Sequence, residues 1–231
     1  MPRLRSDSQP RAPRTAASYP TGSGCSSGLL LPPLAVLLIS GLLAIFANSQ
    51  FVRADAFSVV NSQTSHPGLS SIFTPTIQYW GQQLLAWSAE FNLDPNLAAT
   101  VMQIESCGDP RALSSAGAMG LFQVMPFHFH SFDDPYNPET NALRGLAYLA
   151  SALERAGGDS RLALAGYNGG VGLVGRAEWT WPAETKRYVK FGGPIYEDAR
   201  AGLTSSENLN AWFSQYGASL CRQAAQRLGL P

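Results

Sequence analysis

The stretch Asp94-Pro95-Asn96-Leu97-Ala98-Ala99-Thr100-Val101-Met102-Gln103-Ile104-Glu105-Ser106-Cys107-Gly108-Asp109-Pro110 decides how this chain is read. Asp94 is a helix N-cap, and Pro95 suits the first helical turn, where a missing N–H costs nothing. Ala98, Val101 and Met102 give an apolar face, and Gly108-Asp109-Pro110 stops the helix. The helix therefore ends by delivering one carboxylate, Glu105, to the start of an irregular polar segment. A carboxyl among apolar neighbours is penalised in its charged form, so its pKa rises towards neutrality, as a general acid requires. Position alone fits a surface glutamate equally well, so the rest of the chain has to decide.

Working outward, helical periodicity continues on both sides. Ile77, Trp80, Leu84, Trp87 and Phe91 share one face of a preceding helix. Asn137-Pro138 opens a long helix with Leu143, Leu146, Leu149, Ala150 and Leu153 on its buried side and Gly157-Gly158 as its stop. Asp159 begins a shorter helix that reaches Tyr167-Asn168, and Glu184–Lys190 and Ser206–Leu228 supply further helical stretches. No run of alternating strands is present, and the only ribbon expected is a small one within Arg111–Gly120. The expected fold is mainly α, one helical domain with a small irregular or β segment.

The 231 residues are 45% hydrophobic and 14% charged, enough apolar content for one packed domain with appendages. One end stands apart. Residues 28–47 carry no charge and follow a basic segment, 1–27, with Arg3, Arg5, Arg11 and Arg14. That pattern is an export signal or a membrane anchor. Pro32-Pro33 and the small residues Ala54-Asp55-Ala56 favour a cleaved signal, whereas the long arginine-bearing start favours an anchor; both place the remainder outside the cytoplasmic membrane. Residues 48–76 are rich in Ser, Thr, Asn and Gln without sustained periodicity and read as a flexible linker. Beyond Arg53 there are eleven Lys and Arg against fifteen Asp and Glu, a net of −4, which argues against nucleic acid as a partner.

Four motifs then occur in order: Glu105-Ser106, Gly117-Ala118-Met119-Gly120-Leu121-Phe122-Gln123, Gly166-Tyr167-Asn168-Gly169-Gly170 and Glu184-Thr185-Lys186-Arg187-Tyr188-Val189. Together they resemble the catalytic domain of the soluble lytic transglycosylases, with its goose-type-lysozyme-like fold, over 77–196. This leaves 197–231 as a helical C-terminal extension. The family pattern usually has Met at the position of Phe122 and Ala at that of Gly166. The resemblance implies cleavage of peptidoglycan glycan strands without a cofactor, with Glu105 as the single acid and base and a 1,6-anhydro-muramoyl end as product. It also implies substrate contacts from the amides of Gln123 and Asn168, the ring of Tyr167 and the hydroxyl of Tyr188, which approaches the acid, while Ser106 reads as an orienting or substrate-binding hydroxyl. A hydrolytic muramidase of related fold and a non-catalytic wall-binding protein are the rival readings.

Other patterns carry less. Gly170-Val171-Gly172-Leu173-Val174-Gly175 has the letters of a dinucleotide fingerprint but follows a helix instead of a strand. His128 and His130 with Asp133 or Asp134 lack a convincing third metal ligand, so no metal is expected. Cys107 and Cys221 are the two cysteines beyond the apolar segment, and an oxidising compartment favours a disulfide between them.

Overall fold

Helix-start chemistry sets most of the element boundaries in the computed structural model, which describes residues 68–231. The expected basic segment 1–27, the apolar segment 28–47 and most of the linker lie outside the described residues. Helix α1 spans Pro75–Tyr79 and α2 Gly81–Glu90, separated only by Trp80. Helix α3, Pro95–Glu105, begins where Asp94 accepts from the backbone N–H of Asn96 at 2.9 Å. Helix α4, Pro138–Arg155, is capped by Asn137, and α5, Ser160–Gly169, by Asp159, each through an Asx side chain accepting from the third following N–H.

Helix α3 is the axis of the domain. Every residue from Asn96 to Gln103 is buried, and a helix buried on all sides must satisfy its polar groups internally. It does so through the segment before α1. Asn96 Oδ1 accepts from the backbone N–H of Ser70 at 2.8 Å, Gln103 Oε1 from Thr74 N and Oγ1 at 3.2 and 3.0 Å, and Thr100 donates to Asn96 O at 2.7 Å. Ile72 and Phe73 are buried beside them. The packed domain therefore starts ahead of Ile77, and residues 69–76 belong to it and are not tether. The reason is a polar one, since composition alone hides that these Ser and Thr residues pair with buried amides.

Around α3, helix α5 sits between α4 and α6, which spans Ala183–Arg200, while α6 packs on α3 and α2 contacts both α3 and α4. Leu97, Leu146, Leu149, Leu164 and Ile195 are almost wholly buried at these contacts. Truncating one such leucine to alanine costs about 2–5 kcal/mol. Strand structure is confined to isolated antiparallel bridges, Leu113 with Met119 and Met119 with Val124. The expected ribbon is thus reduced to single bridges, and they extend past Gly120.

Helix α6 continues through position 196 to Arg200, so the expected boundary between 77–196 and 197–231 falls inside one helix. Ser206 then caps α7, Glu207–Trp212, a π-helical turn covers Phe213–Gly217, and α8 runs over Ala218–Leu228 against α1. The domain is mainly helical. Among the described residues no helix is long and apolar enough to cross a membrane.

Candidate active site

Glu105 is the last residue of α3, and Ser106, its C-cap, starts a turn tied down from four directions. The Ser106 hydroxyl donates to Leu121 O at 2.6 Å and accepts from Gly108 N at 3.0 Å. The indole N–H of Trp80 donates to Gly108 O at 2.9 Å. Cys107 is joined to Cys221 of α8 by a disulfide. Asp109, wholly buried, accepts from Gln223 at 2.8 Å and Arg111 N at 2.9 Å and pairs with Arg227 at 3.1 Å. The C-terminal helix therefore holds the turn that carries the acid.

Glu105 lines a cavity of about 220 Å³ together with Ile104, Asn168, Tyr188, Phe191 and Trp212. Part of its surface stays accessible through this cleft, while protein atoms surround the carboxyl. Its pKa is raised to about 8, chiefly by burial, with the Tyr188 hydroxyl pulling it down and Glu184 adding a smaller upward push. At neutral pH Glu105 is therefore mostly protonated, the state a general acid needs. The Tyr188 hydroxyl is buried without a partner at full hydrogen-bond distance, yet faces Glu105 closely enough to favour the ionised carboxylate. Burial and the nearby Glu105 also hold the Tyr188 phenol well above its ordinary range.

The expected site residues divide between two cavities. Asn168 and Tyr188 share the first with Glu105, and Thr185 donates to Asn168 Oδ1 at 2.8 Å, leaving the amide N–H groups for the cleft. Gln123 and Tyr167 line a second, smaller cavity of about 50 Å³ with Met125, His128, Gly145 and Tyr148. Consecutive residues at the end of α5, Tyr167 and Asn168, thus serve the two cavities. The Tyr167 hydroxyl donates to Phe122 O at 2.6 Å, its phenol is held well above the usual range by burial, and its ring meets Tyr148 at 5.7 Å. Gln123 sits in a left-handed conformation, φ 46°, with its amide donating to Gly120 O at 3.0 Å and Ala112 O at 3.2 Å.

One assignment needs correcting. Ser106 was expected to orient the site or to touch substrate; it is wholly buried with its hydroxyl engaged on both sides. It orients the turn and offers no free atom to a ligand. A Cβ on Gly145 would lie 2.5 Å from Phe122 Cβ, so the close approach of Phe122 to α4 requires a bare backbone there.

The structure adds cleft residues that single-motif reasoning passed over: Glu184, Arg187, Phe191, Trp212 and Tyr216. The first three share one face of α6 with Tyr188, at spacings of three, four and seven, a signal present in the sequence. Trp212 and Tyr216 come from the C-terminal segment and had no local signal beyond being aromatic. Of the possible metal ligands, Asp133 is occupied by Arg144 at 2.7 Å and by His130 N at 2.9 Å. Among the described residues no group of three His, Cys, Asp or Glu could hold a metal ion.

Residues 82–189 match the profile of the Transglycosylase SLT domain. A protein of Enterobacteria phage PRD1 described as a transglycosylase is 42% identical over 111 residues, which cover 47% of this chain and 40% of that protein. The chain thus aligns with less than half the length of this relative. The structure of an inactive mutant of the lytic transglycosylase Slt from Pseudomonas aeruginosa aligns at 22% identity and a TM-score of 0.39, covering 65% of this chain and 24% of that one.

Proposed function

We propose, from the match of residues 82–189 to the Transglycosylase SLT domain, that this protein is a peptidoglycan lytic transglycosylase with Glu105 as its one acid and base. The observation that carries the reading is a carboxyl held protonated at neutral pH in the wall of a cleft that also presents Asn168 and Tyr188. Glu105 donates its proton to the glycosidic oxygen between the muramic acid and glucosamine residues, and the substrate's own N-acetyl group stabilises the anomeric centre. The resulting carboxylate then removes the proton from the 6-hydroxyl of the same muramic acid residue. That oxygen closes on the anomeric carbon, giving a 1,6-anhydro end and consuming no water.

During the second step the carboxylate must persist, and the Tyr188 hydroxyl is suited to donate to it. Asn168, Gln123 and Tyr167 supply amide and ring contacts to the sugars on either side. The disulfide supports a site of action in the oxidising cell envelope, in keeping with an N-terminal signal or anchor.

Glu184 gives a second reading its footing, because a further carboxylate in the cleft could activate a water and make the enzyme a hydrolase. Digestion of purified sacculi separates the two. Released muropeptides are expected to carry anhydro ends and to lack one water relative to muramidase products in mass spectrometry. Predominantly reducing ends would overturn the lyase reading.

A further inference from the structure

The cavity that Glu105 lines also carries charge that proton transfer to the glycosidic oxygen does not use. Arg187 projects from α6 into the cavity with its guanidinium 5.6 Å from the centre of the Tyr216 ring, and Tyr216 meets Phe191 edge-on at 5.5 Å. Among the described residues no carboxylate lies within ion-pair distance of Arg187, although Arg144, Arg161, Arg200 and Arg227 each have one. A guanidinium stacked on an aromatic face keeps its N–H edge free, in the planar fork that matches a carboxylate. Lys190, one turn further along α6, adds a second cation on this side. Glu184 lines the same cavity one turn before Arg187 and acts electrostatically on Glu105.

The partner of Arg187 is built with some care. Tyr216 lies within the π-helical turn Phe213–Gly217, and turns of this kind redirect side chains at functional sites. A Cβ on Gly217 would lie 2.4 Å from the Trp212 ring, so only glycine lets that ring lie back against the turn and form cavity wall. Trp212, Tyr216 and Gly217, with Lys190 and Phe191 of α6, stand outside the matched region 82–189, which includes Arg187.

We infer that Arg187 and Tyr216 form a subsite for an acidic group of the substrate, namely a carboxylate of the peptide stem on a glycan strand. The C-terminal segment then makes the cleft select stem-bearing over bare glycan. The inference rests on the proposed peptidoglycan substrate but does not depend on whether cleavage is by anhydro-ring closure or by water.

The test uses the full chain carrying Glu105→Gln, so that binding is measured without turnover. Its affinity is determined for two soluble glycan preparations, one with peptide stems intact and one from which an amidase has removed them. Stem-bearing strands are expected to bind about tenfold more tightly or better, the effect of one charge-assisted contact, and the preference is expected to shrink with added salt. Adding Arg187→Gln or Tyr216→Leu should abolish the preference while leaving affinity for bare strands in place, and Arg187→Lys should restore part of it. Equal affinity for the two preparations, equal loss on both, or binding to neither overturns the subsite. Failure of the lyase reading would show separately, as reducing ends made by the wild-type enzyme.

Discussion

The turn bearing the acid and the wall facing it are built in opposite ways. From Ser106 to Asp109 each residue is held by a hydrogen bond, a disulfide or an ion pair, and all four are buried. On the wall, Glu184, Arg187 and Tyr216 are exposed, and ring stacking is the contact that orients Arg187. The difference teaches where precision is needed. Proton transfer fails when the acid is displaced by a fraction of an ångström, whereas recognition of a branched polymer benefits from side chains that adjust.

The sharpest way to break this comparison is to disable the acid itself. Glu105→Gln should lower turnover by at least about 10²–10⁴-fold, the loss typical of a general acid and base, while binding to sacculi persists. Clearing of sacculi at a near wild-type rate would remove Glu105 from its role. The same variant has a stability signature. Between 4.5, its ordinary pKa, and about 8, native Glu105 holds a proton that the unfolded chain has released, so wild-type stability falls as pH rises across that window. Glutamine carries no such penalty, and thermal melts should diverge in favour of the variant as pH is raised from acid to 8.

Next in size is the tie across 114 residues of chain between Cys107 and Cys221. Cys221→Ser, or reduction, should cost roughly 2–5 kcal/mol and lower the melting temperature. Activity should fall too, although Cys221 lines neither cavity, because the turn behind Glu105 loses an anchor. Unchanged activity in a destabilised protein would mean the remaining hydrogen bonds suffice to hold the acid.

A smaller loss is expected for Ser106→Ala, which strands Leu121 O and Gly108 N in the interior and should cost about 1–3 kcal/mol. Tyr216→Leu on the wall should stay within about 0.5 kcal/mol in the same denaturation experiment. Similar losses in both would erase the contrast between a tied turn and an adaptable wall.

The smallest effect on stability belongs to Tyr188→Phe, since its hydroxyl has no full partner to lose. The readout is the pH profile. Tyr188 lowers the Glu105 pKa, so its removal raises it, and the alkaline limb of kcat/KM, set by the loss of the Glu105 proton near 8, should move to higher pH. A limb that stays put would separate Tyr188 from the acid.

What the sequence by itself determined is what depends on neighbours within a turn or so. The caps Asp94, Asn137 and Asp159, the stop after Glu105 and the buried positions Leu84, Trp87, Leu146 and Leu149 are all set by residues close along the chain, although Leu143, expected on the buried side of α4, is exposed. The candidate acid was legible for the same reason, because it sits at a helix end that local chemistry defines, whereas Asn168 was singled out by the resemblance of its motif. The tertiary structure alone decided the rest. Ser106 turned inward because Leu121 O lay waiting for its hydroxyl, and residues 69–76 became core because Asn96 and Gln103 needed partners. Trp212 and Tyr216 entered the cleft because α8, bound through Cys221, Gln223 and Arg227 to the turn after Glu105, carried the π-helical turn to α6. These contacts join residues tens to more than a hundred positions apart. Local periodicity has no term for a partner that only folding brings near.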